Sequence, residues 1–347
     1  MKDIYNVQSI YEMYKIIKAN YKFDIGDFKI TKTETSIFND FNKELLESSG
    51  KYLNYAFAYE YLEKCNNCYQ ITYKELNMNV IMRNKITKKE KMQLFKNLYR
   101  LHLISKIYNI SKLGNYKFNF YIIMNPLKRC FPSKKDDIID VKHINGGFTY
   151  INRNDIYIIR KEDYEKVLLH ELLHHNILIN KQDWLEINIK RLRDHFNIHD
   201  SMLLLPNEAI IETYACVLNT IFYSIETGTS LKNNLKKDQE HSIQLANKIL
   251  EKQGGKKWYE KTHSYCYIVF KTILYVYFNN FLKINIYNND TAITDFLIKY
   301  SPQIYKKMRS IRSIRSIRSI RSIRSIRDVD DTNKGRNIGN KLKQTIY

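Results

Sequence analysis

His170-Glu171-Leu172-Leu173-His174 is a complete H-E-x-x-H, and the rest of the chain is best read outward from it. On an α-helix, positions four apart share one face, so both imidazoles can reach the same cation. Glu171 lies one step round, within reach of a water held by that cation. The flanking residues suit a helix. Tyr164, Val167, Leu168, Leu169, Leu172, Leu173 and Ile177 supply apolar positions, Asp163 stands where an N-cap would, and Glu165 falls in the first turn. Upstream, residues 147–151 and 156–159 have the composition of two strands. Arg153-Asn154-Asp155 between them is rich in turn formers, so a hairpin is expected to lead into the helix.

A hydrolytic zinc site takes three protein ligands and leaves one position for water. The metzincin spacing needs a glycine and then a histidine soon after the second His. Ile177 and Asn180 occupy those places and exclude it. Leu205-Pro206-Asn207-Glu208-Ala209-Ile210-Ile211-Glu212 offers an alternative. Pro206 suits the start of a helix, where its missing N–H costs nothing. Glu208 then falls in the first turn, where the helix dipole favours the ionised carboxylate. Glu212 lies four residues on, on the same face, placed to accept a hydrogen bond from the free ring nitrogen of a ligating histidine.

With H-E-x-x-H followed by Asn207-Glu208 and Glu212, the chain resembles the gluzincins, the thermolysin-like zinc metallopeptidases, over residues 161–215. The resemblance implies one Zn2+ held by His170, His174 and Glu208, with Glu171 as general base and Glu212 supporting a histidine ligand. It implies a hydrolase acting on peptide or protein substrates, a metalloprotease in which a metal-activated water attacks the peptide bond. The interval from His174 to Glu208 is longer than in compact members, and residues 183–196 within it have the pattern of an inserted amphipathic helix. By the same analogy an oxyanion donor is sought before the last apolar helix, where His263 and Tyr265 stand; Tyr150, Tyr214 and His195 are rivals. The implied fold is α+β. A zincin-like metallopeptidase core would comprise an edge-strand hairpin, the H-E-x-x-H helix and a helical C-terminal lobe, preceded by a mostly helical N-terminal region. The edge strand could bind an extended peptide by β-augmentation.

Lysine, asparagine, isoleucine and tyrosine are over-used, a skew that fits an AT-rich coding sequence. The net charge is +21, of which seven arginines between Arg309 and Arg327 supply a third; such a balance favours acidic partners. No apolar segment follows Met1-Lys2-Asp3, so no signal peptide is expected. The most apolar stretch, residues 265–278, is short and carries Lys271, so it is expected to be a buried helix and not a membrane span. Five cysteines, an odd count, point to free thiols and an intracellular, reducing compartment. Cys65 and Cys68 form a lone C-x-x-C; Cys130 and His143 could complete a structural zinc site with them.

The organisation expected is a basic, mostly helical region over residues 1–125, a catalytic domain over 126–300 and a disordered basic tail over 301–347. Residues 41–62 and 88–107 carry apolar residues at helical spacing. Residues 71–76, 88–103 and 118–124 together resemble a winged helix, a fold that binds DNA. After Glu212 the helix is expected to continue through Phe222. Residues 224–239 are polar enough to form a loop, and helices over 242–252 and 264–281 are separated at Gly254-Gly255. The triplet Arg-Ser-Ile is repeated six times from Arg309. Its period matches neither helix nor strand, so no apolar face persists and disorder is expected, with polyanion binding open to it. Two other functions suit the same sequence. One is a catalytically inactive zincin-like module, insensitive to substitution of Glu171. The other is a nucleic-acid-binding protein using the basic N-terminal region and tail, with steeply salt-dependent binding.

Overall fold

Leu76-Asn77-Met78-Asn79-Val80 alternates apolar and amide side chains, the period of a strand with one face in a core. In the computed structural model this segment is the third strand of a six-stranded mixed sheet. The structure describes residues 7–39, 41, 55–110, 118–132, 134, 137–150, 153–176, 184–284 and 289–326, the side chains of 55–57 and 309–326 excepted. The strands are β1 (Lys29–Thr33), β2 (Asn67–Tyr73), β3 (Leu76–Met82), β4 (Asn119–Ile123), β5 (Gly147–Thr149) and β6 (Asp155–Ile158), in the order β1-β2-β3-β4-β6-β5. β3, β4 and β6 run parallel, while β1–β2, β2–β3 and β5–β6 are antiparallel pairs. The amides pair across the ladder. Gln70 donates to Asn79 at 3.2 Å, Asn77 to Asn119 at 3.3 Å and Asn119 to Asp155 at 3.1 Å. These cross-strand bonds suit asparagine to strands it otherwise disfavours.

Besides the single turn Val141–Ile144, the α-helices among the described residues are α1 (Ile10–Asn20), α2 (Tyr55–Leu62), α3 (Lys88–Ile107), α4 (Tyr164–Leu173), α5 (Glu186–Phe196), α6 (Asn207–Thr227) and α7 (Leu231–Gln253). A π-helical turn, Tyr265–Phe270, runs into α8 (Lys271–Val276), followed by α9 (Phe278–Phe281) and α10 (Asp290–Ile326). A capping box between Thr87 and Glu90 starts α3, which carries the chain from β3 over to the parallel β4. The sheet is covered on both faces. Ile71, Met78, Val80, Phe120, Ile122 and Ile158 join the main core with α3, α4 and α6, while Cys68, Ile81, Ile123, Tyr157 and Ile159 pack with Phe38, Phe41 and α2. The protein is therefore α+β.

Several expectations need correction. The N-terminal region is not helical alone, since among the described residues β1 to β4 all precede residue 125. The segment that resembled a winged helix is the β2–β3 hairpin, α3 and β4, laid out as a hairpin and a parallel crossover. Residues 224–239 are not a loop. α6 extends to Thr227, Gly228 takes the left-handed conformation that ends it, and Ser230 caps α7. Buried Leu231, Asn234, Leu235 and Asp238 trace a helical face that the many surrounding lysines and asparagines hide. Residues 301–326, expected to be disordered, continue α10; residues 327–347 lie outside the described residues. A period of three forbids a persistent apolar face but not a helix, because arginine is a good helix former and no glycine or proline follows Pro302 in α10. Among the described residues no helix is long and apolar enough to cross a membrane.

Candidate metal centre

The hairpin expected ahead of the H-E-x-x-H is β5–β6, and β6 runs almost directly into α4. Asp163 holds the N-cap position but makes no side-chain cap bond. It adopts a left-handed backbone (φ 58°), and its carboxylate pairs with the buried Arg129 at 3.2 Å. α6 packs across α4, begins directly after Pro206 and places Glu208 in its first turn. The insertion between the two motifs contains α5, the amphipathic helix expected there.

These elements bring three donor groups together. His170 Nε2 lies 3.2 Å from His174 Nε2 and 3.3 Å from Glu208 Oε2, and His174 Nε2 lies 3.6 Å from the same oxygen. Two ligand atoms on a tetrahedral zinc, each ~2.0–2.1 Å from the ion, are about 3.3 Å apart. The three donor atoms are therefore close enough together to hold a single metal ion. Glu208 Oε2 is buried, with both imidazoles as close neighbours. Among the described residues, His170, His174 and Glu208 form the one cluster of this kind. Cys65, Cys68, Cys130 and His143 do not form a second. Cys65 donates to Tyr61 O, burial pushes the Cys65 and Cys68 thiols up to about 11, Cys130 is exposed, and His143 Nδ1 accepts from Asp140 N.

Glu212, four residues beyond Glu208, accepts from His170 Nδ1 at 2.8 Å through one oxygen and from Lys166 Nζ at 2.6 Å through the other. The electrostatics follow from this packing. Burial alone would raise the carboxyls of Glu208 and Glu212. The two site histidines for Glu208, and Lys166 with His170 for Glu212, outweigh it and hold both down to about 2. Burial would depress His170, but its hydrogen bonds to Glu208 and Glu212 lift it to about 10. The pocket is thus arranged to keep positive charge between two carboxylates. Glu171, also buried, is pushed up to about 7 by desolvation, the range in which a carboxyl can both take and return a proton.

A cleft of about 990 Å3 opens over the cluster, between the β5 edge and the segments 201–205 and 259–263. Glu171, His174 and Glu208 line it, with Trp184, His263 and Tyr267. Of the two donor candidates, His263 does face the site: it lines the cleft, and its Nδ1 is buried without a hydrogen-bond partner. Tyr265 does not; its hydroxyl is fully buried and directed at Phe196 O and Gln253 Oε1. Tyr267, which the sequence reading did not single out, lies beside the cluster with its ring edge-on to His170 at 5.6 Å. Burial and the Glu208 and Glu171 charges push the Tyr267 phenol well above its ordinary range, so it keeps its proton. The sequence signal for Tyr267 is its position four residues after His263, and Tyr267 N donates to His263 O at 2.9 Å. Of the rivals, Tyr214 packs on Phe278 and His195 bonds Ser301, both away from the cluster, and Tyr150 lies edge-on to Phe148 just after β5.

Comparison with known protein families, with curated proteins and with solved structures returned no match to this chain.

Proposed function

We propose that this protein is a zinc-dependent peptidase. The observation that carries the reading is the triangle of donor atoms on His170, His174 and Glu208, which lies in the wall of a cleft beside a sheet edge. In this reading the two imidazoles and the Glu208 carboxylate hold Zn2+, which supplies a Lewis acid able to lower the pKa of water toward ~7. Glu171 takes the proton of the attacking water on its carboxylate and returns it to the leaving amine, roles for which a carboxyl raised to about 7 is suited. The Tyr267 hydroxyl and the His263 ring donate hydrogen bonds to the oxygen on which negative charge develops. β5 pairs only with β6 among the described strands, so its outer edge offers backbone groups to an extended peptide.

The test is metal analysis of the purified chain beside His170→Ala. The expected result is one zinc per wild-type chain, none in the variant, and a cobalt-substituted spectrum free of thiolate bands. Strong thiolate charge-transfer bands would move the metal to Cys65 and Cys68 and overturn the assignment.

A further inference from the structure

Among the described residues, Arg129, Arg160, Lys166 and Lys271 are long cationic side chains no more than 2% exposed, and Arg100, paired with Glu226, is 5% exposed. Burying a cation is costly unless it is paired, so each calls for a reason. Arg129 holds Ile144 O, Glu162 and Asp163, and Arg160 holds the carbonyls of Asn145, Lys128 and Lys142, so both tie loops in place. Lys271 donates to Ser242 on α7. Lys166 alone reaches the candidate metal centre. It stands one turn before His170 on α4, is 2% exposed, and donates to Glu212 Oε1 at 2.6 Å.

The two oxygens of Glu212 are thereby assigned. Oε1 is taken by Lys166 and Oε2 by His170 Nδ1, so the carboxylate is held at both ends and cannot turn about its own axis. With Nδ1 held by Glu212, the ring presents Nε2 toward His174 Nε2 and Glu208 Oε2. The geometry points to Lys166 as a positioning residue of the metal centre, acting through Glu212 to fix the orientation of the His170 ring, with Nε2 toward the site, before a metal arrives. Without it, Glu212 Oε1 keeps only the Cys216 thiol, at 3.9 Å, and the carboxylate loses its buried lysine partner. The spacing is built into the helices, since Lys166 and His170 share a face of α4 and Glu208 and Glu212 share the facing turns of α6.

This inference rests on the metal-centre reading, and wild-type zinc binding tests that reading separately. The experiment measures zinc affinity by chelator competition in wild type, Lys166→Met, Glu212→Gln and the double variant. It also follows the downfield His170 Nδ1–H resonance in the zinc-free wild type and Lys166→Met. Lys166→Met is expected to bind zinc about 10–100-fold more weakly, as for loss of a partner behind a metal ligand, and to lose or shift that resonance. The double variant is expected to bind zinc no more weakly than Glu212→Gln, because Lys166 acts only through Glu212. Removing both members of the pair also removes the unpaired charge, so that comparison still decides if Lys166→Met does not fold. A Lys166→Met protein with wild-type affinity and an unmoved resonance would overturn the inference. So would a loss that persists in the Glu212→Gln background.

Discussion

Glu212 and His170, 42 residues apart in sequence, meet at 2.8 Å through Oε2 and Nδ1 with both side chains buried. A carboxylate in that position fixes which imidazole nitrogen carries the proton and leaves the other for a cation. Glu212→Gln keeps the shape of the side chain but weakens the acceptor. It should retain zinc with affinity lowered ~10–100-fold. Glu208→Gln, by contrast, should abolish tight binding. Equilibrium dialysis against zinc buffers checks both, and the reverse order would exchange the two roles.

How much of this was legible beforehand depended on whether the signal was local. The donor set His170, His174 and Glu208, with Glu171 and Glu212 beside it, rests on i, i+4 spacing, and the structure brings these residues together. The sheet was harder to read, because Asn77, Asn79 and Asn119 find their partners on other strands, which no local pattern reveals. Tyr267 stands one α-helical turn after His263, with its N–H on His263 O at 2.9 Å, but the sequence does not say which of Tyr265 and Tyr267 faces the cleft. Lys166 looked like one more lysine in a lysine-rich chain until its partner was placed.

Tyr267→Phe removes a hydroxyl beside the centre without changing the ring that packs on His170. If Tyr267 stabilises the developing oxyanion, kcat should fall about 10²–10³-fold with KM and zinc content little changed. Tyr265→Phe, whose hydroxyl points to Phe196 and Gln253, should leave kcat within a few-fold of wild type. Steady-state kinetics of the two variants separate them.

Gly147 opens the edge strand beside the cleft, and a methyl group there would lie 2.6 Å from Tyr157 O and 3.0 Å from a Val167 methyl. The first contact is with backbone and cannot be relieved by a rotamer change. Gly147→Ala should therefore cost about 1–3 kcal/mol, the usual range for overpacking. Denaturant unfolding measures it, and an unchanged midpoint would mean that β5 shifts without penalty.

Arg100 and Glu226 tie α3 to α6 through two bonds of 2.7 and 2.8 Å, with both side chains buried. Burial would raise the Glu226 carboxyl, but Arg100, Lys96 and the Tyr21 hydroxyl hold it below its ordinary value. A carboxyl depressed in the folded state contributes stability above its unfolded pKa of ~4.3, and that contribution is lost as pH falls through the folded value. Glu226→Gln should thus cost about 3–5 kcal/mol near neutral pH, because Arg100 is left buried and unpaired. The gap between wild type and variant should narrow once the pH drops below ~4. Urea unfolding at several pH values reads that gap directly.

The central claim is that Glu171 moves a proton for peptide hydrolysis while His170, His174 and Glu208 hold the metal. Glu171→Gln alters neither the donor triangle nor the buried Glu212–Lys166 pair, so its zinc content should equal that of wild type. The most direct measurement is cleavage of a pooled peptide library, read by mass spectrometry, by zinc-loaded wild type and zinc-loaded Glu171→Gln. The account predicts cleavage by wild type and none by the variant, because an amide cannot accept the water's proton. Equal cleavage by the two proteins, or none by zinc-loaded wild type across the pH range, would contradict it.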